Sequence, residues 1–158
     1  GDVYKRQIQS YMGYRTCYYR TLNVGTYTPA QKEAYQKARE WIDNAIELVK
    51  PGLTTDKIAA VWPKAEEFGF DSEMEAFGLQ FGHGLGLALH ERPIISRLVS
   101  FENPFELEEG MVFALETYCP AEDGNGAARI EEEVVVTADG CKVITLFPSK
   151  ELFVANAY

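Results

Sequence analysis

The stretch from Thr28 to Gly52 constrains the fold most. Thr28 stands as an N-cap, Pro29 takes the first helical position and Gln31 follows three residues after the cap, the pattern of a capping box. Ala34, Tyr35, Ala38, Trp41, Ile42, Ala45, Ile46 and Val49 recur at helical spacing. Lys32, Glu33, Lys37, Glu40, Asp43 and Glu47 fill the opposite face until Pro51-Gly52 stops the helix. A helix with one apolar stripe must lay it against a core. The later part of the chain offers that core, because its texture changes to short apolar runs punctuated by Gly and Pro at residues 79–89, 111–118, 128–137 and 141–147. Ala138-Asp139-Gly140 joins the last two as a hairpin. A second helix is expected over residues 55–67, kinked or split at Pro63. Residues 8–24, rich in Tyr and Thr with Gly13 in the middle, read as strand, turn and strand, with Cys17 in or beside the second strand. Helices followed by strands, without repeat, linker or low-complexity tract, make a single α+β domain.

Composition narrows the function. A 158-residue chain that is 46% hydrophobic can bury roughly 70% of its unfolded surface, so it needs no disulfide or structural metal to form a core. Any metal is then free to be functional. The net charge of −9, with no run rich in Lys or Arg, argues against a nucleic-acid partner. No apolar run approaches the ~18 residues of a membrane span. Cys17, Cys119 and Cys141 are odd in number and widely spaced, which reads as reduced thiols and a cytoplasmic setting. Residues 1–7, GDVYKRQ, lack periodicity and resemble the translation of a transposon adapter used for sequencing libraries. On that expectation natural sequence begins near Ile8, and residues 8–158 belong to something longer.

Both histidines, His83 and His90, fall within FGHGLGLALHERP. Gly82, Gly84 and Gly86 let the backbone bend or approach a ligand closely. They make no nucleotide loop, since the third glycine of G-x-G-x-x-G would fall at Leu87, and His90-Glu91 begins no H-E-x-x-H motif because position 94 is Ile. Taken alone, two histidines near an apolar strand are more often satisfied core residues than ligands. Glu116 is more pointed: in MVFALET it shares the Val112/Ala114 face of a core strand, where a lone carboxylate is costly without a cation. In the run Arg129-Ile130-Glu131-Glu132-Glu133, alternation puts Arg129, Glu131 and Glu133 on one face and Glu132 on the other. One of the three glutamates is expected inward; the plainer reading is a charged strand end with Arg129 paired to one of them. Two Glu with one or two His would suit Mn, Fe, Co or Zn.

Three motifs in this order, GHGLGLALHE, EEGMVFALET and ARIEEEVVVTADG, resemble the C-terminal half of the catalytic domain in the pita-bread-fold metallopeptidases, which include aminopeptidase P, prolidase, methionine aminopeptidase and creatinase. The similarity runs from about Gly13 to Phe147. It implies a pita-bread fold truncated on its N-terminal side. It also implies metal ligation by His83, Glu116 and Glu131, a second histidine, His90, that contacts substrate and helps move protons, and Arg129 as the arginine before the last ligand. In the family two divalent ions, Mn, Co, Zn or Fe, activate a water that attacks a peptide bond beside proline or after an N-terminal residue, and the counterpart of Glu116 helps accept its proton. The implied partners are a peptide or small-molecule substrate and, in the full-length protein, a second copy in a homodimer.

The chain departs from the pattern at Cys17. The family has D-x-x-R-T where this sequence has Cys17-Tyr18-Tyr19-Arg20-Thr21, and its first aspartate, eleven residues earlier, falls at Arg6 within residues 1–7. Cys17 is then a thiolate ligand that shifts preference toward softer ions such as Zn, the mark of one lost metal and a mononuclear site, the mark of a metal site obsolete altogether as in creatinase, or a plain buried thiol. Two alternatives to an Xaa-Pro peptidase follow: a non-peptidase relative acting on a small amine or sulfonium compound, or a binding module that has shed catalysis.

Overall fold

The computed structural model describes residues 10–77 and 80–156. Residues 1–7 and the position of the family's first aspartate lie outside them. Two short strands, β1 (Ser10–Tyr11) and β2 (Tyr14–Arg15), form a hairpin. Its turn places Met12 and Gly13 at φ 52° and 91°, the left-handed pair that two-residue hairpins require. Strand β3 (Leu22–Val24) pairs in parallel with β9 (Phe153–Ala155), from the other end of the chain.

Helix α1 (Pro29–Leu48) has the cap its sequence promises: Gln31 N–H donates to the Thr28 hydroxyl, and the Gln31 side chain accepts from Thr28 N–H. Ala34, Tyr35, Ala38, Ile42 and Ala45 are buried along one stripe. The expected second helix is split as Pro63 dictates, into α2 (Thr55–Ala59) and a 3-10 turn at Ala65–Phe68. Two further short helices, α3 (Glu73–Phe77) and α4 (Arg97–Ser100), were not foreseen.

The main sheet has five antiparallel strands in the order β5 (Glu91–Ile95), β4 (Gly82–Gly84), β6 (Val112–Pro120), β7 (Ala127–Val136) and β8 (Cys141–Val143). Residues 79–89 are expected as one strand, of which residue 79 lies outside the described residues; among the described ones the strand is confined to Gly82–Gly84, with flanking backbone bonds from Phe81 and Leu85, and a loop follows. Residues 141–147 likewise shorten to β8, while the 138–140 turn forms as expected, with Thr137 N–H donating to the Gly140 carbonyl. Phe113, Leu115, Ile130 and Val134 from the sheet pack with the α1 stripe in one core cluster. The chain is an α+β fold with α1 on one face of the sheet.

Candidate metal centre

The face of the sheet away from α1 carries the chemistry. Side chains directly opposite in an antiparallel ladder point the same way. His83 lies opposite Ala114, Ala114 opposite Glu133, and Glu116 opposite Glu131. Register alone therefore gathers His83, Glu116, Glu131 and Glu133 onto one face, and Arg129 joins them by alternation. One ligand atom from each of His83, Glu116 and Glu131 lies within 4.8 Å of the other two. All three residues are buried, His83 and Glu131 at 0% exposure and Glu116 at 5%.

His83 is held by its ring Nδ1, 2.9 Å from the carbonyl of Gly84. Its Nε2 is 3.6 Å from Glu131 Oε1 and is buried without a hydrogen-bond partner among the described residues. Burial works to lower the His83 pKa, but the Glu131 carboxylate, the Gly84 carbonyl and Glu116 outweigh it and raise the value. Glu116 Oε2 accepts from the Tyr19 hydroxyl at 2.5 Å and from Arg129 Nη2 at 3.3 Å, while Oε1 accepts from Gln80 at 3.3 Å. Burial, followed by the charges of Glu116 and Glu131, pushes the Tyr19 phenol far above its ordinary pKa, so Tyr19 stays a donor. Two carboxylates directly opposite on a buried ladder repel, and an imidazole nitrogen with no acceptor role filled faces them. That donor set fits a divalent cation of the Mn, Fe, Co or Zn group.

The remaining expected residues also converge. His90 is exposed, with its ring against His83, centroids 4.2 Å apart and nearly perpendicular. Cys17 is buried, and its sulfur and ring nitrogens of His83 and His90 also lie within 4.8 Å of one another. The segment holding Cys17 runs past β7 in the opposite direction. Cys17 N–H donates to Glu133 Oε1, Glu131 N–H to the Tyr19 carbonyl, and the Thr21 hydroxyl bonds Arg129 backbone.

Two expectations need correction. Not one but all three glutamates of the run are buried, each with a different task. Glu131 faces His83, Glu133 holds the Cys17 backbone, and Glu132 lies on the α1 side, where Arg20, Arg39, Thr145 and Ser149 surround it. Burial works to raise the Glu132 pKa, but the Ser149 and Thr145 hydroxyls and Arg20 overcome it and lower the value. Arg129 pairs with none of the three; it reaches across the ladder to Glu116. Tyr19 was missed altogether, although its place two residues beyond Cys17 in an extended segment was the available signal.

A pocket of about 190 Å³ opens beside this face, lined by Tyr19, Gln80, Glu116 and Arg129 among others. Residues 7–138 match the model of metallopeptidase family M24. The chain belongs to that family. It is similar to the Xaa-Pro dipeptidase of Pyrococcus horikoshii, with 33% identity over 138 residues that cover 85% of this chain and 36% of the relative. The Xaa-Pro dipeptidase of Lactobacillus helveticus is 38% identical over 136 residues, 84% of this chain and 34% of the relative. Among solved structures, dipeptidase PepE from Mycobacterium ulcerans superposes with a TM-score of 0.77 at 30% identity, covering 96% of this chain and 39% of that one. The prolidase from Pyrococcus horikoshii gives 0.76 at 30% identity, with coverages of 93% and 40%. The chain thus has part of the pita-bread fold, and spans little more than a third of the length of these family M24 relatives. No helix among the described residues is long and apolar enough to cross a membrane.

Proposed function

We propose that this chain is the metal-centre portion of a metal-dependent peptidase that cleaves bonds next to proline. One observation carries the reading: a buried imidazole and two buried carboxylates, set by strand register, converge within 4.8 Å beside an open pocket. The names of the related dipeptidases support the substrate class.

His83, Glu116 and Glu131 would hold the ion or ions. A bound divalent metal supplies a nucleophilic water at neutral pH and polarises the carbonyl under attack. The chain's own residues do the rest. Glu116 accepts the proton released from the water, and the Tyr19 and Arg129 donors on Oε2 fix the orientation of that carboxylate. His90, exposed at the edge of the centre, faces substrate and carries a proton between it and solvent. Arg129, with its side chain half exposed, presents positive charge to the pocket and suits a substrate carboxylate.

The test is His83→Ala in the full-length protein, followed by bound-metal analysis and hydrolysis of an Xaa-Pro dipeptide. Both metal retention and turnover are expected to disappear. Unchanged turnover would sink the reading. A protein that retains metal in wild-type form yet leaves Xaa-Pro bonds intact would point instead to a non-peptidase relative, the alternative that a thiol at a family carboxylate position favours.

A further inference from the structure

Cys17 lies close to two imidazoles, and one of them is the ligand that the carboxylates already face. His83 belongs to two separate groupings of potential ligand atoms, one with Glu116 and Glu131 and one with Cys17 and His90, each within 4.8 Å. We propose that Cys17 is a metal ligand, and that Cys17, His83 and His90 form a sulfur and imidazole face of the centre that selects zinc over harder ions. This inference rests on the metal-dependent reading above and deepens it.

Three features support it. The first is position: Cys17 is 3% exposed, and its segment is fastened at several points. Glu133 takes its N–H, the Tyr19 carbonyl accepts from Glu131 N–H, and Arg20 reaches the Glu131 carbonyl and the Glu132 carboxylate. The sulfur is therefore set beside the histidines by backbone contacts, before any metal is considered. The second is the buried His83 Nε2, which has no hydrogen-bond partner among the described residues. A nitrogen of that kind within a polar group points to a missing ligand. The third is dimension. Ligands on one tetrahedral zinc lie about 3.3–3.6 Å apart, given Zn–N of about 2.0–2.1 Å and Zn–S of about 2.3 Å. Atoms already within 4.8 Å need only small side-chain rotations to meet that spacing.

The chemistry then favours a soft ion. A thiolate raises affinity for zinc relative to manganese, whereas carboxylates and water suit manganese. On binding, the Cys17 S–H bond breaks, the sulfur donates its electron pair to the ion, and the proton passes to solvent.

The experiment is an anaerobic titration of the reduced chain with cobalt(II), read by absorption, with zinc competition. Wild type should show an intense near-ultraviolet sulfur-to-cobalt band together with the visible cobalt bands. In Cys17→Ser, with circular dichroism unchanged, the sulfur band should vanish, and zinc affinity should fall by at least the roughly 10- to 100-fold that loss of an outer-shell partner costs. Cys17→Asp should restore tight binding without the sulfur band and move the preference toward manganese. Should cobalt bind in a manner abolished by His83→Ala, yet with no sulfur band and no change in Cys17→Ser, the inference is overturned and the carboxylate centre stands. Absence of any cobalt binding would overturn both.

Discussion

His83 sits between two glycines that leave no room for a side chain. A Cβ at Gly84 would fall 2.2 Å from the Arg92 carbonyl oxygen, and one at Gly82 would fall 2.5 Å from that of Ala114. The neighbouring strands thereby close in around a buried histidine. Gly84→Ala must push backbone against backbone, so it is expected to destabilise the fold by at least the ~1–3 kcal/mol typical of overpacking and to weaken cobalt binding by displacing His83. Urea denaturation and metal titration check the two effects separately. At this scale much was legible. Both histidines falling in one glycine-rich stretch stand out by their clustering, and a glutamate in an apolar strand stands out because a lone buried carboxylate is costly without a partner. Tyr19 did not stand out, since a tyrosine in a Tyr-rich segment is ordinary until its hydroxyl is seen to reach Glu116. Nor could the run of three glutamates disclose that Arg20 and Arg39, distant in sequence, make the middle one affordable.

Among the elements, β7 does the most varied work. One face presents Glu131 to the candidate metal centre and Glu133 to the Cys17 backbone, while the other presents Glu132 to α1 and the C-terminal segment. The Glu132 side chain is 4% exposed and pairs with Arg20 at 2.8 Å and Arg39 at 3.0 Å, whose side chains are 6% and 13% exposed. Removing Glu132 leaves the buried Arg20 without its carboxylate, while Arg39 keeps Asp43; breaking a buried pair costs about 3–5 kcal/mol. Glu132→Ala is therefore expected to lower stability by about that amount, seen as an earlier urea midpoint, with the loss felt by the Cys17 segment as well. Helix α1 was readable to its cap and stop, because propensity, capping and periodicity agree there. The strand expected over residues 79–89 was not, because apolar residues around glycines fit both a long strand and a strand that turns into a loop. Pairing partners decide between them, and those are set by tertiary structure.

For the molecule as a whole, a metal held at the proposed centre would couple ligand binding to stability. A metal that binds only the folded chain adds about 2.7 kcal/mol at one hundred times its dissociation constant, which for a domain of this size corresponds to a rise of about 5–11 °C in melting temperature. Zinc should raise the thermal midpoint of the wild type on that scale, EDTA should reverse it, and His83→Ala should respond to neither; calorimetry measures all three. The overall α+β plan was legible from the strand patterns and the three motifs, and the residues those motifs name do gather on one sheet face. The parallel pairing of β3 with β9 was not, since nothing local links Leu22–Val24 to Phe153–Ala155.

The β6 and β7 ladder also orders events in time. Glu116 and Glu131 meet in a hairpin whose strands are separated only by residues 121–126, so closing that loop costs little chain entropy. Contacts between neighbours in sequence form fast, and those between distant segments form slowly. The two acidic groups are thus expected to meet in an early, local step of folding, and Cys17, more than a hundred residues from Glu131 along the chain, in a later one. On that order the pair of carboxylates would be assembled before the thiol reaches it.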